Sequence, residues 1–340
     1  MGKLMAISVR DVAKKAGVSL GTVSNVLNTP DKVAEKTVLK VQAAIDSLGF
    51  VRNDAARQLR AGKSRSIGLL VLDVRNPFFT DIARGAEEAA NDHNMSVLLA
   101  NSDETQDREK QLLGLFEEQR VAGLLVSPVT SDIEELKKTQ ARGTPIVLVD
   151  RQSKDKSFCS VSVDDVAGGE MAVQHLIDVG KRNILFAGGP IAIEQISDRL
   201  KGAERAVSKN KGVHLETFVT KNLTVLEGRA LGDEILSRPK SKRPDAIFAA
   251  NDLLALGIMQ AIVVSKEVSI PKDIAIVGYD DISYASTAII SLTSIRQPSM
   301  LIGAQAVELL LQETENPGSA KGRQVVFQPE LVVRDTTSKI

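Results

Sequence analysis

The chain has 340 residues, and its 43 Lys and Arg balance 43 Asp and Glu; that length exceeds one ordinary core and predicts two or three domains. A single cysteine, Cys159, excludes an internal disulfide framework and a cysteine-built metal site. The three histidines are scattered, and neither a metal nor another cofactor is expected. No apolar run reaches membrane-spanning length and the N-terminus lacks the apolar core of a secretion signal, so the expected setting is a reducing cytoplasm without membrane contact.

Val9, Val12, Ala13 and Ala16 recur at helical spacing, and Val23, Val26 and Leu27 do so again after a Gly17-Val18-Ser19 turn. Ser8 with Asp11 three residues on reads as a capping box for the first helix, and Ser19 as the N-cap of the second. Two short helices broken at a glycine predict a helix-turn-helix. The second helix presents Leu20, Gly21, Ser24, Asn25 and Asn28, small or hydrogen-bonding groups suited to base edges in a major groove. Charge points the same way. Residues 1–65 hold twelve Lys and Arg against five acids, net +7, which leaves the other 275 residues at −7. A basic head on an acidic body is the expected footprint of phosphate neutralisation at one end of a chain.

Val38, Val41, Ile45 and Leu48 predict a third helix within Val33 to Gly49. Asn53 to Arg60 reads as a short capped helix, too short to be stable unless docked, followed by a polar linker to Arg65. From Ile67 onward apolar strands alternate with amphipathic helices. The first series has strands at 67–74, 97–100, 123–126 and 146–149, and the second at 184–187, 217–220, 246–249 and 274–277. Two consecutive parallel βαβ runs predict two doubly wound lobes with a ligand cleft between them at the strand carboxyl ends. Asn76, Asp150, Arg151, Asn251 and Asp280 sit just after strands. The first strand runs into Asp73-Val74-Arg75-Asn76-Pro77, neither a dinucleotide fingerprint nor a Walker loop, which disfavours a nucleotide-dependent enzyme.

Asp11-Val12-Ala13 through Gly17-Val18-Ser19, Thr22-Val23-Ser24 and Val26-Leu27-Asn28, the linker Ala55-Ala56-Arg57-Gln58-Leu59, and the body motifs Ala250-Asn251-Asp252, Ala255-Leu256-Gly257 and Val277-Gly278-Tyr279-Asp280-Asp281 resemble the LacI/GalR family of bacterial transcription regulators. The resemblance covers essentially the whole chain. It implies an all-α helix-turn-helix head (1–52), a hinge helix and linker (53–65), and an α/β body like periplasmic binding proteins (66–335). The implied lobes are 66–162 with 293–323, and 163–292 with 324–335. It further implies a repressor, not an enzyme, acting as a homodimer on palindromic operator DNA, with Ser19 and Thr22 joining the DNA-facing set. Asn53, Ala56, Leu59 and Arg60 of the paired hinge helices would enter the minor groove, Leu59 as the intercalating wedge.

Where many relatives carry arginine this chain has Asn25, which favours adenine over guanine by roughly 1–3 kcal/mol. Ala34 stands where an N-capping serine is usual. The body is similar to the ribose-binding protein at Asn76, Phe78, Phe79, Asp150, Arg151, Arg199, Asn251, Asp280 and Gln297, with Leu223 in place of an aromatic residue. Carboxylates and guanidinium groups would hold vicinal hydroxyls, and phenylalanine faces would cover a sugar ring. Ribose or a related pentose is the implied effector. A nucleoside, another sugar or a phosphoprotein co-repressor stays open, as does the choice between inducer and co-repressor. No leucine-heptad tail follows the last expected strand at 329–333, so a dimer is expected rather than a tetramer. A sugar-binding transport protein would share the body but have no use for the head.

Overall fold

The computed structural model describes residues 7–50, 64–320 and 322–338. The expected hinge helix, with Asn53, Ala56, Leu59 and Arg60, lies outside the described residues. The chain divides into two compact units, 1–63 and 64–340.

In the first unit α1 (Val9–Ala16) begins at a complete capping box. The Asp11 carboxylate accepts from the Ser8 backbone N–H at 2.8 Å, while the Ser8 hydroxyl accepts from Asp11 N–H. Gly17 ends it in the left-handed region at φ 59°, where a side chain would be strained. Ser19 Oγ accepts from Thr22 N–H at 3.0 Å and opens α2 (Leu20–Asn28). The third helix, α3, is shorter than expected, Glu35–Leu48, because Pro30–Lys32 forms a 3₁₀ turn and Ala34 caps with no side-chain hydrogen bond. Val12, Val23 and Val41 are fully buried where the three helices meet, with Phe50 closing the core.

The second unit holds twelve strands among its described residues: β1 (Ser66–Val71), β2 (Ser96–Asn101), β3 (Gly123–Val126), β4 (Ile146–Val149), β5 (Cys159–Val163), β6 (Asn183–Gly188), β7 (His214–Val219), β8 (Ala246–Ala249), β9 (Ala275–Asp280), β10 (Thr293–Arg296), β11 (Gln324–Phe327) and β12 (Glu330–Val332). They form two six-stranded sheets, in the orders β11-β5-β4-β3-β1-β2 and β12-β10-β9-β8-β6-β7. Only β12 runs antiparallel, against β10. The helices between them are α4 (Pro77–Asp92), α5 (Gln106–Glu118), α6 (Glu134–Ala141), α7 (Asp165–Asp178), α8 (Glu194–Lys209), α9 (Val225–Ser237), α10 (Asp252–Ser265), α11 (Ser283–Thr287) and α12 (Ser299–Glu315).

The later lobe boundaries differ from the expectation. Residues 293–296, assigned above to the first lobe, pair with β9 of the second sheet, and 324–327, assigned to the second, pair with β5 of the first. The chain therefore returns to the first lobe after Arg296 and leaves it after Phe327, one strand later than expected at each crossing. Both strands are only four residues long, and membership of a sheet is decided by distant partners, Val277 for Thr293 and Ser160 for Gln324. Local pattern carries no such information. The strand β5, Cys-Ser-Val-Ser-Val, is buried throughout and was also missed as an element.

Candidate functional site

The strand carboxyl ends of both lobes face one narrow cleft, lined on its apolar side by Leu72, Phe78, Phe79, Ile193, Ile196 and Leu223. Its polar side is Asp73, Asn76, Glu104, Asp150, Gln195, Arg199, Asn251 and Asp280. Eight of the ten expected effector residues thus line one cavity. Phe78 and Phe79 pack edge to face at 5.1 Å.

Asn76 both caps and reaches across. Its Oδ1 accepts from Phe78 N–H at 3.1 Å, opening α4, while its Nδ2 donates to Asp280 Oδ2 of the other lobe at 2.9 Å. Asn251 caps α10 through Leu254 N–H and donates to the Leu223 carbonyl. Asp150 and Asp280 both sit at positive φ, 58° and 105°. Such backbone costs on the order of 1–3 kcal/mol and persists where the surroundings over-determine it, commonly at ligand sites.

Arg199, buried on α8, is held by its neighbours. Its Nε donates to Asp165 Oδ1 at 2.8 Å, a terminal nitrogen donates to the Ala250 carbonyl at 2.7 Å, and its guanidinium lies 3.7 Å over the Tyr279 ring. Asp280 Oδ1 is 3.9 Å away and accepts from Gln297 Nε2 at 2.8 Å. Burial works against the Arg199 charge, but Asp165 and the other acids outweigh it and hold its pKa above the ordinary value. Burial, and next the nearby Asp165, hold the Asp150 carboxyl well above its usual range. Asp150 is 3% exposed, and its Oδ1 has no hydrogen-bond partner.

Burial pushes Asp280 up to about 6 despite Arg199 and the hydrogen bonds from Asn76 and Gln297. A carboxyl raised in the folded state binds its proton more tightly there than when unfolded. Its contribution to stability is therefore full below the ordinary value and lost as pH rises through 6. Relative to Asp280→Asn, the protein should gain about 1 kcal/mol of unfolding free energy between pH 7 and pH 5. Denaturant titrations at both pH values check this, and parallel profiles for the two proteins would contradict it.

Two expected residues do not line the cavity. Gln297 stands behind Asp280 as its hydrogen-bond partner. Arg151 turns aside, pairing with Glu194 Oε2 at 2.6 Å and donating to the Thr130 carbonyl. Residues the sequence reading missed are Gln195, Glu104, Asp73 and Asp165. Glu104 closely follows β2 and was open to the strand-end rule. Gln195 was not, since it enters from the start of α8, where it donates to the Asp150 carbonyl at 2.6 Å and to Asp150 Oδ2 at 3.0 Å.

On the head, Ser19, Leu20, Gly21, Asn25 and Asn28 are exposed along one side of α2, with Thr22 and Ser24 half-buried. Thr22 and Ser19 hydroxyls share a hydrogen bond at 2.9 Å, and Asn28 Nδ2 donates to the Ser24 carbonyl at 2.8 Å. A helix-turn-helix followed by a two-lobed, cleft-bearing α/β unit defines a DNA-binding regulator with a small-molecule site.

Comparison with known proteins agrees. The description "Bacterial regulatory proteins, lacI family" matches residues 8–53, and "Periplasmic binding protein-like domain" matches 173–337. The HTH-type transcriptional repressor PurR of Vibrio campbellii (strain ATCC BAA-1116) is 32% identical over 337 residues, 98% of this chain and 99% of that protein. The ribose operon repressor of Escherichia coli (strain K12) is 33% identical over 313 residues, 91% and 94%. Among solved structures, the lac repressor dimer bound to operator and the anti-inducer ONPF is similar with a TM-score of 0.83, 28% identity and coverage of 98% and 99%. A LacI family regulator from Enterococcus faecium with bound ribose is similar with a TM-score of 0.73, 26% identity and coverage of 81% and 99%. The chain belongs to the LacI family and is a DNA-binding transcriptional repressor rather than an enzyme.

Proposed function

We propose that the protein is a homodimeric repressor of a palindromic operator whose affinity for DNA is lowered by a small neutral sugar, ribose or a related pentose, bound in the cleft. The observation that carries the sugar reading is the unpartnered Oδ1 of buried Asp150, in a cavity shared with Phe78, Asn251 and Asp280. A buried acceptor without a donor is costly, and a ring hydroxyl supplies the donor while the phenylalanine face covers the ring carbons. The ribose operon repressor and the ribose-bound regulator support the pentose. A nucleoside is the second reading, since the chain is as similar to the repressor PurR as to the ribose operon repressor.

In this reading α2 enters the major groove, where the Asn25 side chain, with no hydrogen bond of its own in the described structure, meets an adenine edge. Leu59 and Arg60, outside the described residues, take the minor-groove roles implied by resemblance. The dimer face is an apolar surface of the second lobe around Val264, Tyr284 and Ile289, which are 67%, 56% and 95% exposed. A patch of this kind is a common mark of a protein interface, and the similar lac repressor is described as a dimer.

Ligand acts only through its differential affinity for the two states, and roughly 5.5 kcal/mol is needed to move 1:99 to 99:1. Partial release is the expected response. Fluorescence anisotropy of a labelled palindrome, selected from random duplexes, tests this at fixed salt. D-ribose should weaken binding at least about tenfold. Release by a nucleoside with no effect of ribose would establish the second reading, and a ribose-tightened complex would reverse the proposed sign.

A further inference from the structure

We propose that Glu194 sets the charge selectivity of the cleft by holding Arg151 out of it, so that the site takes uncharged, hydroxyl-rich ligands and rejects anionic ones such as phosphorylated sugars. Arg151 follows Asp150 directly at the end of β4, yet only Asp150 faces the cavity. The Arg151 guanidinium is ion-paired to Glu194 Oε2 at 2.6 Å with both side chains largely buried, 6% and 14% exposed. The Thr130 carbonyl takes another of its protons, and Lys154 pairs with the other Glu194 oxygen. Glu194 and Gln195 thus reach from the start of α8 to two successive residues of the opposite lobe.

What remains around the ligand space is an excess of acidic side chains over basic ones. Four carboxyl groups line it, Asp73, Glu104, Asp150 and Asp280, against the single guanidinium of Arg199. Arg199 is already committed to Asp165 and the Ala250 carbonyl. Arg75 answers Asp73, which leaves Glu104, Asp150 and Asp280 with one shared cation among them. A second anion brought into such a site loses its water and gains no partner. A polyol instead brings donors to carboxylates that need them. With Arg151 in the cleft the balance would shift by one positive charge, and a phosphate or carboxylate would find a bidentate partner.

The inference rests on the sugar-site reading for the neutral ligand, but its charge test does not. Inorganic phosphate is titrated into the full-length protein by calorimetry at constant ionic strength, alongside Glu194→Gln and the double variant Glu194→Gln/Arg151→Gln. The native protein should bind phosphate weakly or not at all. Glu194→Gln should bind it at least about tenfold more tightly, and the double variant should lose that gain, which separates Arg151 from the freed Lys154. Glu194→Ala serves as the second single variant if the glutamine protein does not fold. Equal phosphate binding by all three proteins, or a gain that the double variant keeps, overturns the proposal. D-ribose titrated into the same samples reports separately: its failure to bind the native protein sinks the sugar reading while the phosphate comparison stands.

Discussion

Ile289→Asp is expected to leave the protein monomeric and to weaken operator binding by about two orders of magnitude or more. Ile289 is 95% exposed and stands on an apolar groove that also takes in Val264, Tyr284, Leu256 and Met259. At a two-fold interface the substitution enters twice, and each carboxylate must be desolvated against apolar groups or a second carboxylate. Two heads on one dimer bind the second half-site as an intramolecular event, and a monomer forfeits that effective concentration. Sedimentation velocity with operator anisotropy on the same sample checks both steps. A variant that stays dimeric places the interface elsewhere.

Gly303→Ala should cost the body about 3 kcal/mol, at the upper end of what inserting a single group into a well-packed interior costs. A Cβ at Gly303 on α12 would lie 2.0 Å from the Ile82 carbonyl and 2.8 Å from Ala86 N on α4. Gly85 makes the reciprocal approach, 2.1 Å from the Met300 carbonyl. Main chain meets main chain here, so no side-chain rotation relieves the clash and the two helices must part. The same paired arrangement joins α7 to α8 through Gly169 and Gly202, and α9 to α10 through Gly228 and Gly257. Gly114→Ala is the control, since nothing lies within 4 Å of its added methyl. It should be neutral or stabilise by up to about 1 kcal/mol. Urea unfolding of both variants decides, and a loss below about 0.5 kcal/mol for Gly303→Ala would mean that the helices do not approach so closely.

Much of this molecule is written locally. The capping box at Ser8 and Asp11, the cap at Ser19 and the stops at Gly17 and Gly49 are interactions between residues a few positions apart. Their chemistry is therefore legible in the chain. The strand and helix alternation of the body is equally local, and with the rule that ligands sit at strand carboxyl ends it led to Asn76, Asp150, Asn251 and Asp280, all of which line the cleft. The familial resemblance added Phe78, Phe79, Arg199 and Leu223, which periodicity alone would have left in the core.

Glu104 was a local miss, but the larger failures were non-local. The sheet to which 293–296 and 324–327 belong depends on partners 16 and 164 residues away in the chain, Val277 for Thr293 and Ser160 for Gln324. Gln195 became a site residue because α8 delivers it to Asp150, 45 positions earlier. Arg151 has the right type and the right place after its strand, yet Glu194 claims it. The sequence by itself determined most of the elements, the caps at Ser8 and Ser19, the charge division between head and body, and which strand ends could carry a ligand site, because each of these is set by near neighbours and by composition. Only the tertiary structure decided which polar side chains remain available to a ligand. A buried charge goes to whichever partner the packed fold brings within hydrogen-bonding distance, and for Arg151 and Asp150 those partners come from the other lobe.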